Sequence, residues 1–119
     1  MRKFEDLQIW QRSHALTLAI YKASATFPKE ELYSLTSQIR RSASSIPTNI
    51  AEGCGRNTEA DFARFLVIAM GSSSELAYQL ILAKDLNYIS EEAFNTLNSE
   101  LVEIRKMVNA YIQKVKPFP

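Results

Sequence analysis

The chain is poor in the residues that build turns, staples and catalytic sites. Among 119 residues there are one cysteine, one histidine, three glycines and four prolines. A lone Cys54 excludes an internal disulfide and a multi-cysteine zinc site. Scarce glycine and proline argue against the many turns of an all-β fold. The formal charge of +1 lacks the basic excess of a dedicated nucleic-acid binder. No run of eighteen apolar residues occurs, which argues against a membrane span. The N-terminus, Met1-Arg2-Lys3-Phe4-Glu5-Asp6, meets acidic residues at once and has no apolar signal core. A cytoplasmic setting is the simplest expectation.

What remains is 46% hydrophobic and long enough for one domain, 1–119, with a real core. The apolar residues recur at helical spacing in four segments. The first helix is predicted from Asp6, as N-cap, to Thr26, before Phe27-Pro28. It carries two apolar stripes. Leu7, Trp10, His14, Leu18 and Tyr21 form one; Ile9, Leu16, Ile20 and Ala23 form the other. Two stripes exceed what one bundle core needs. Either the core face is wide, or Ile9, Leu16 and Ile20 meet another subunit.

A connector over Lys29–Tyr33 leads to a second helix from about Ser34 to Cys54, with Leu35, Ile39, Ala43, Ile46 and Ile50 facing the core. Pro47 interrupts it. Proline has no N–H and its ring clashes with the carbonyl four residues earlier. A kink near Ala43 to Ser45 is expected, with nearby serines satisfying the freed groups. The third helix opens at Thr58, with Asp61 placed for a reciprocal cap, and runs to about Leu86. Small residues from Gly71 to Ser74 interrupt it, which is tolerable where a neighbour needs the room. The fourth helix starts at Ser90. Phe94, Leu97, Leu101, Ile104, Val108, Tyr111 and Val115 alternate spacings of three and four along it, and Pro117 stops it. Short connections make sequential helices antiparallel neighbours. The expected fold is all-α, an antiparallel up-down-up-down four-helix bundle.

No catalytic constellation stands out. His14 lacks the Glu-x-x-His motifs of a carboxylate-bridged metal site, so neither a metal nor any other cofactor is expected. A hydrogen-bonded histidine in or near the core is the simpler reading. Antiparallel pairing places His14 opposite Ile46, about 12 Å of helix from Cys54 at ~1.5 Å per residue, which rules out a nucleophile–base dyad. A polar group on the middle helices draws more interest: Arg40, Arg41, Asn49, Glu52 and Glu75. Pairing about the turn near Arg56 sets Arg41 opposite Gly71, which predicts an ion pair from Arg40 or Arg41 to Glu75, with Arg105 approaching the same place. The alternative is that Arg40, Arg41, Arg56 and Arg64, or Arg105, Lys106, Lys114 and Lys116, contact phosphate. A ring would amplify such a patch.

Several blocks resemble one known family. Phe4-Glu5-Asp6-Leu7 with Trp10-Gln11-Arg12 looks like its opening. Leu35-Thr36-Ser37-Gln38-Ile39-Arg40-Arg41 leads into Ser45-Ile46-Pro47-Thr48-Asn49-Ile50-Ala51-Glu52-Gly53, and Phe62, Phe65-Leu66 and Gly71-Ser72 with Glu75-Leu76 follow. The chain is similar over nearly its whole length to the four helix bundle protein family, also called the 23S rRNA intervening-sequence protein family. That resemblance implies an antiparallel bundle assembling as ring-like homopentamers, some members being encoded within inserts in ribosomal RNA genes. A more distant similarity links the family to accessory proteins of diversity-generating retroelements, whose basic pentameric barrel engages nucleic acid and a reverse transcriptase. Ser34 and Ser13 stand where glycine and alanine are common. The function expected is a non-enzymatic, self-assembling scaffold with RNA or DNA as candidate ligand. A protein-binding adaptor or a purely structural oligomer is the alternative.

Overall fold

The computed structural model describes residues 2–115. Four helices form, α1 (Gln8–Ser24), α2 (Ser37–Cys54), α3 (Glu59–Asp85) and α4 (Glu91–Val115), and no strand occurs among the described residues. Consecutive helices pack against each other and α4 closes back on α1, giving a bundle 44 × 23 × 22 Å. The predicted up-down-up-down, all-α architecture is what forms. Lys116 and Pro117, assigned above to phosphate and to the helix stop, lie outside the described residues.

Each helix end has a local cause. Asp6 is not the cap of α1. It lies in a 3-10 turn, Phe4–Asp6, and the residue before α1 is extended Leu7 with no side-chain cap. Phe4 packs edge-on against Trp10 at 5.0 Å between ring centroids, so apolar packing sets the entry angle of the chain. Between α1 and α2 the chain makes a 3-10 turn, Lys29–Glu31, and a π-helical turn, Leu32–Thr36, so α2 begins three residues later than expected. The Glu31 carboxylate accepts from the Leu35 amide, the Ser34 hydroxyl and Tyr88 Oη, and ties this turn to the α3–α4 connection. Thr58 caps α3 by accepting from the Asp61 amide at 3.1 Å, while Asp61 itself turns to Arg64. Ser90 caps α4 the same way through Ala93. Asn87, at φ 64°, reverses the chain after α3, and the Tyr88 amide reaches back to the Ala83 carbonyl.

The core is filled by α1 Ile9, Leu16 and Ile20, α2 Ile39, Ile46 and Ile50, α3 Phe62, Leu66, Leu76 and Leu80, and α4 Leu101, Ile104 and Val108. Burial of each such side chain stabilises the fold by ~1.5–3 kcal/mol. Ile112 joins them, one helical step from the expected Tyr111.

Pro47 is buried inside α2. The Ala43 carbonyl, which loses its amide partner, accepts from Thr17 Oγ1 of α1 at 3.1 Å. Help therefore comes from across the helix pair and not from the neighbouring serines. Gly53 allows the close approach of α2 and α3: a Cβ there would meet Phe65 Cβ at 2.9 Å and Phe62 Cδ1 at 3.0 Å.

By length and composition α3 is apolar enough to cross a membrane, although its apolar residues are interrupted by polar ones. In the bundle its inner face is core, yet only 39% of its most apolar stretch is buried. Its other apolar residues face outward.

Candidate functional site

The second stripe of α1 is the core stripe. Ile9, Leu16 and Ile20, considered above for a subunit interface, are at most 3% exposed within one chain. They fill the space between four helices and have no surface left to offer. The stripe read first as core turns outward instead. His14 and Leu18 are exposed, Leu18 by 59%, Tyr21 is half-exposed, and Trp10 is partly covered. His14 is a surface side chain stacked on the Trp10 indole at 4.9 Å, not a core histidine.

Trp10, His14 and Tyr21 meet α2 along an open groove, and Leu18 stands outside its lining. One hollow, about 540 Å³, is lined by Trp10, His14, Thr17, Pro47, Thr48 and Ala51 among others. The next, about 460 Å³, is lined by Tyr21, Leu32, Tyr33, Arg40 and Arg41, and Ser44 borders both. The Thr17–Ala43 bond fixes the register and bears out the placement of His14 opposite Ile46. Leu32 and Tyr33 stand out from the π-helical turn, Tyr33 being 91% exposed. A second apolar surface runs along the outside of α3: Val67, Ile68, Tyr78 and Ile81, with exposed Gly71 at its centre. Nothing within 4 Å would meet a Cβ at Gly71, so no neighbour in this chain uses the room expected for it.

The expected polar cluster does not assemble. Arg40 donates Nε to Ser24 Oγ at 2.8 Å and Nη2 to the Tyr21 carbonyl, and its guanidinium covers the Tyr21 ring at 4.7 Å. It faces α1, away from α3. Arg41 and Glu75 are exposed, and neither has an ion-pair partner among the described residues. Arg105 donates to Ser74 Oγ at 2.9 Å, beside Glu75 but not to it. Glu52 pairs with Arg56, and Asn49 donates to Ser45. Serines and a glutamine take the inner places between α2 and α3. Ser45 meets Ser72 at 2.8 Å, and buried Ser42 donates to buried Gln79, which donates on to Glu75 at 3.5 Å. The phase of each helix explains this: Ser42 and Ser45 point at α3, whereas Arg40 points at α1 and Arg41 at solvent.

The candidate phosphate contacts are scattered and mostly engaged. Arg56 and Arg64 both sit over the Phe65 ring, at 4.7 and 4.6 Å, and pair with Glu52 and Asp61. Lys106 pairs with Glu103. Lys114 is exposed on the far end of α4. They do not converge on one face. Cys54 is buried, and burial raises its thiol pKa. Among the described residues no group of three or more His, Cys, Asp or Glu side chains is placed to hold a metal.

Two carboxylates are held ionised by arginine. Arg2 grips Glu59 with two bonds, 2.7 and 2.8 Å, and lies over the Phe62 ring at 4.1 Å. This joins the N-terminus to α3 and lowers the Glu59 pKa. Arg12 grips Glu100 across α1 and α4 at 2.7 and 2.9 Å, with the same effect.

Comparison with known proteins is consistent with this geometry. Residues 5–110 match the family described as 23S rRNA-intervening sequence protein. A solved structure of a protein of unknown function from the S23 ribosomal protein family of Bacteroides thetaiotaomicron superposes with a TM-score of 0.79. The two sequences are 29% identical over 87% of this chain and 97% of that one. No curated protein matches the chain.

Proposed function

As a member of the 23S rRNA-intervening sequence protein family, this chain is, we propose, a non-enzymatic helical bundle that assembles with copies of itself into an interaction scaffold. One observation carries the reading. After the core is full, two further apolar surfaces remain outside it: Leu18 and Tyr21 of α1 with Leu32 and Tyr33 of the turn before α2, and Val67, Ile68, Tyr78 and Ile81 on α3. Scattered exposed apolar residues are ordinary, but contiguous apolar surfaces mark places where another molecule docks. Such a surface on each of two sides suits a chain that touches two neighbours. Light scattering tests this: the scattering mass should be a multiple of 13.5 kDa at micromolar concentration. A mass of one chain refutes it.

Nucleic acid is the second reading, favoured by the family's description and by Arg41 standing unpaired beside exposed Tyr33. Arginine with a free aromatic face is the pairing that single strands use. The engaged state of Arg40, Arg56, Arg64 and Lys106 weighs against a continuous phosphate track. A titration with RNA and DNA at low and high salt decides it, since phosphate binding weakens steeply as salt rises. Absence of binding at low salt leaves the protein-binding scaffold.

A further inference from the structure

We infer that the α3 stripe of one copy docks into the α1/α2 groove of the next, with Glu75 of the first against Arg41 of the second. This rests on the self-assembly reading above and names the pair of surfaces that performs it.

Four observations converge. Glu75 and Arg41 are opposite charges, exposed and without ion-pair partners among the described residues, one on each apolar surface. Both surfaces have matching reach. From Val67 to Ile81 the stripe rises about 21 Å, and from Trp10 to Tyr21 the groove rises about 17 Å before Leu32 and Tyr33 extend it, at ~1.5 Å per residue. Gly71 sits mid-stripe in open space. A mid-helix glycine costs about 1 kcal/mol against alanine, and one that accommodates nothing inside its own chain is where a second backbone approaches. Polarity also agrees. α1 and α3 run the same way, so a neighbour rotated about an axis along the bundle keeps its α3 parallel to the α1 it meets. Its α2-side edge, where Glu75 receives Gln79, then lies over α2 and Arg41. In this register Ile68 falls near His14, and Tyr78 and Ile81 fall near Leu32 and Tyr33.

The contact is heterologous: two different surfaces mate, so each copy uses both, and the assembly closes as a ring or runs on as a filament. Pairing groove with groove would bring Arg41 toward Arg41, and stripe with stripe Glu75 toward Glu75. Like charges brought together in an interface are costly.

Gly71→Lys blocks the stripe and Thr48→Lys, at an exposed position lining the first hollow, blocks the groove. Both replace exposed helical positions by a good helix former, and circular dichroism checks that each variant folds. Each alone should be monomeric. Mixed, they should form a one-to-one heterodimer and stop, since one intact stripe and one intact groove remain between them. Arg41→Glu alone should weaken assembly on the order of tenfold in dissociation constant, and adding Glu75→Arg to the same chain should restore it. A wild-type chain that is monomeric refutes the proposed function and this pairing with it. A wild-type oligomer that survives in both lysine variants, or variants that each form homodimers, refutes the pairing and leaves self-assembly standing. A mixture that stays monomeric, or a double charge exchange that fails to recover, also overturns it.

Discussion

Replacing Thr17 by valine should expose how α2 tolerates a proline in its middle. Pro47 has no amide, so the Ala43 carbonyl has no partner in its own helix. The Thr17 hydroxyl, 3.1 Å away, supplies one from α1. The same hydroxyl lies 2.8 Å from the Ser13 carbonyl, which belongs to the regular ladder of α1 and does not depend on it. Thr17→Val removes the donor with little change of shape. A buried carbonyl left unpaired costs about 1–3 kcal/mol. The added methyl returns part of that, roughly 0.8 kcal/mol for one buried carbon. The net loss is roughly 0.2–2 kcal/mol. In urea, at a slope of about 2 kcal/mol per molar, the midpoint should fall by up to roughly one molar. Chain concentration must be matched between variants, because assembly shifts apparent stability. The decisive step is to repeat the change in a Pro47→Ala background, where residue 47 regains an amide. There Thr17→Val should be nearly silent, giving a coupling of about 1 kcal/mol or more between sites on different helices. An equal loss in both backgrounds would show that the hydroxyl does not serve the carbonyl freed by Pro47.

Other expectations follow from the same contacts. Gly53→Ala should destabilise by about 1–3 kcal/mol, because overpacking against Phe62 and Phe65 outweighs the helix propensity gained; denaturant melts check it. The depressed carboxyls of Glu59 and Glu100 stabilise the fold above their ordinary value of 4.5, and that contribution is lost as pH falls through the lowered folded values. Glu59→Gln with Glu100→Gln should therefore reduce stability at neutral pH and converge with the wild type in acid; curves that stay parallel to the lowest pH contradict this. Cys54, buried and with a raised pKa, should react with a thiol reagent only at the rate of unfolding, so labelling in native buffer as fast as in urea would refute its core position.

Helix number, order and type were legible because apolar spacing of three and four dominates each segment and caps such as Thr58 and Ser90 mark the starts. The face of α1 was not legible. Trp10 and Tyr21 are larger and more conspicuous than Leu16 and Ile20, yet the aliphatic set fills the core. Size does not decide which stripe is buried; Ser13 and Thr17 are buried beside the aliphatic set, Thr17 bonded to Ala43 of α2, and those polar residues fell outside an apolar count. The Arg41–Glu75 pair failed within the chain for a similar reason. Charge complementarity identified two partners, but helix phase gave the inner seats to Ser42, Ser45, Ser72 and Gln79. A wheel of α2 centred on Ile46 would have pointed to those serines. The outward face of α3 was hidden because the helix is apolar nearly all round, and periodicity carries no direction in such a sequence.

Sedimentation of the wild-type chain across a dilution series bears most directly on whether two apolar surfaces outside a finished core exist to meet copies of the same chain. A discrete species heavier than one 13.5 kDa chain is expected, dissociating on dilution and lost in the Gly71→Lys and Thr48→Lys variants. A single 13.5 kDa species at every concentration, identical in all three proteins, would contradict it.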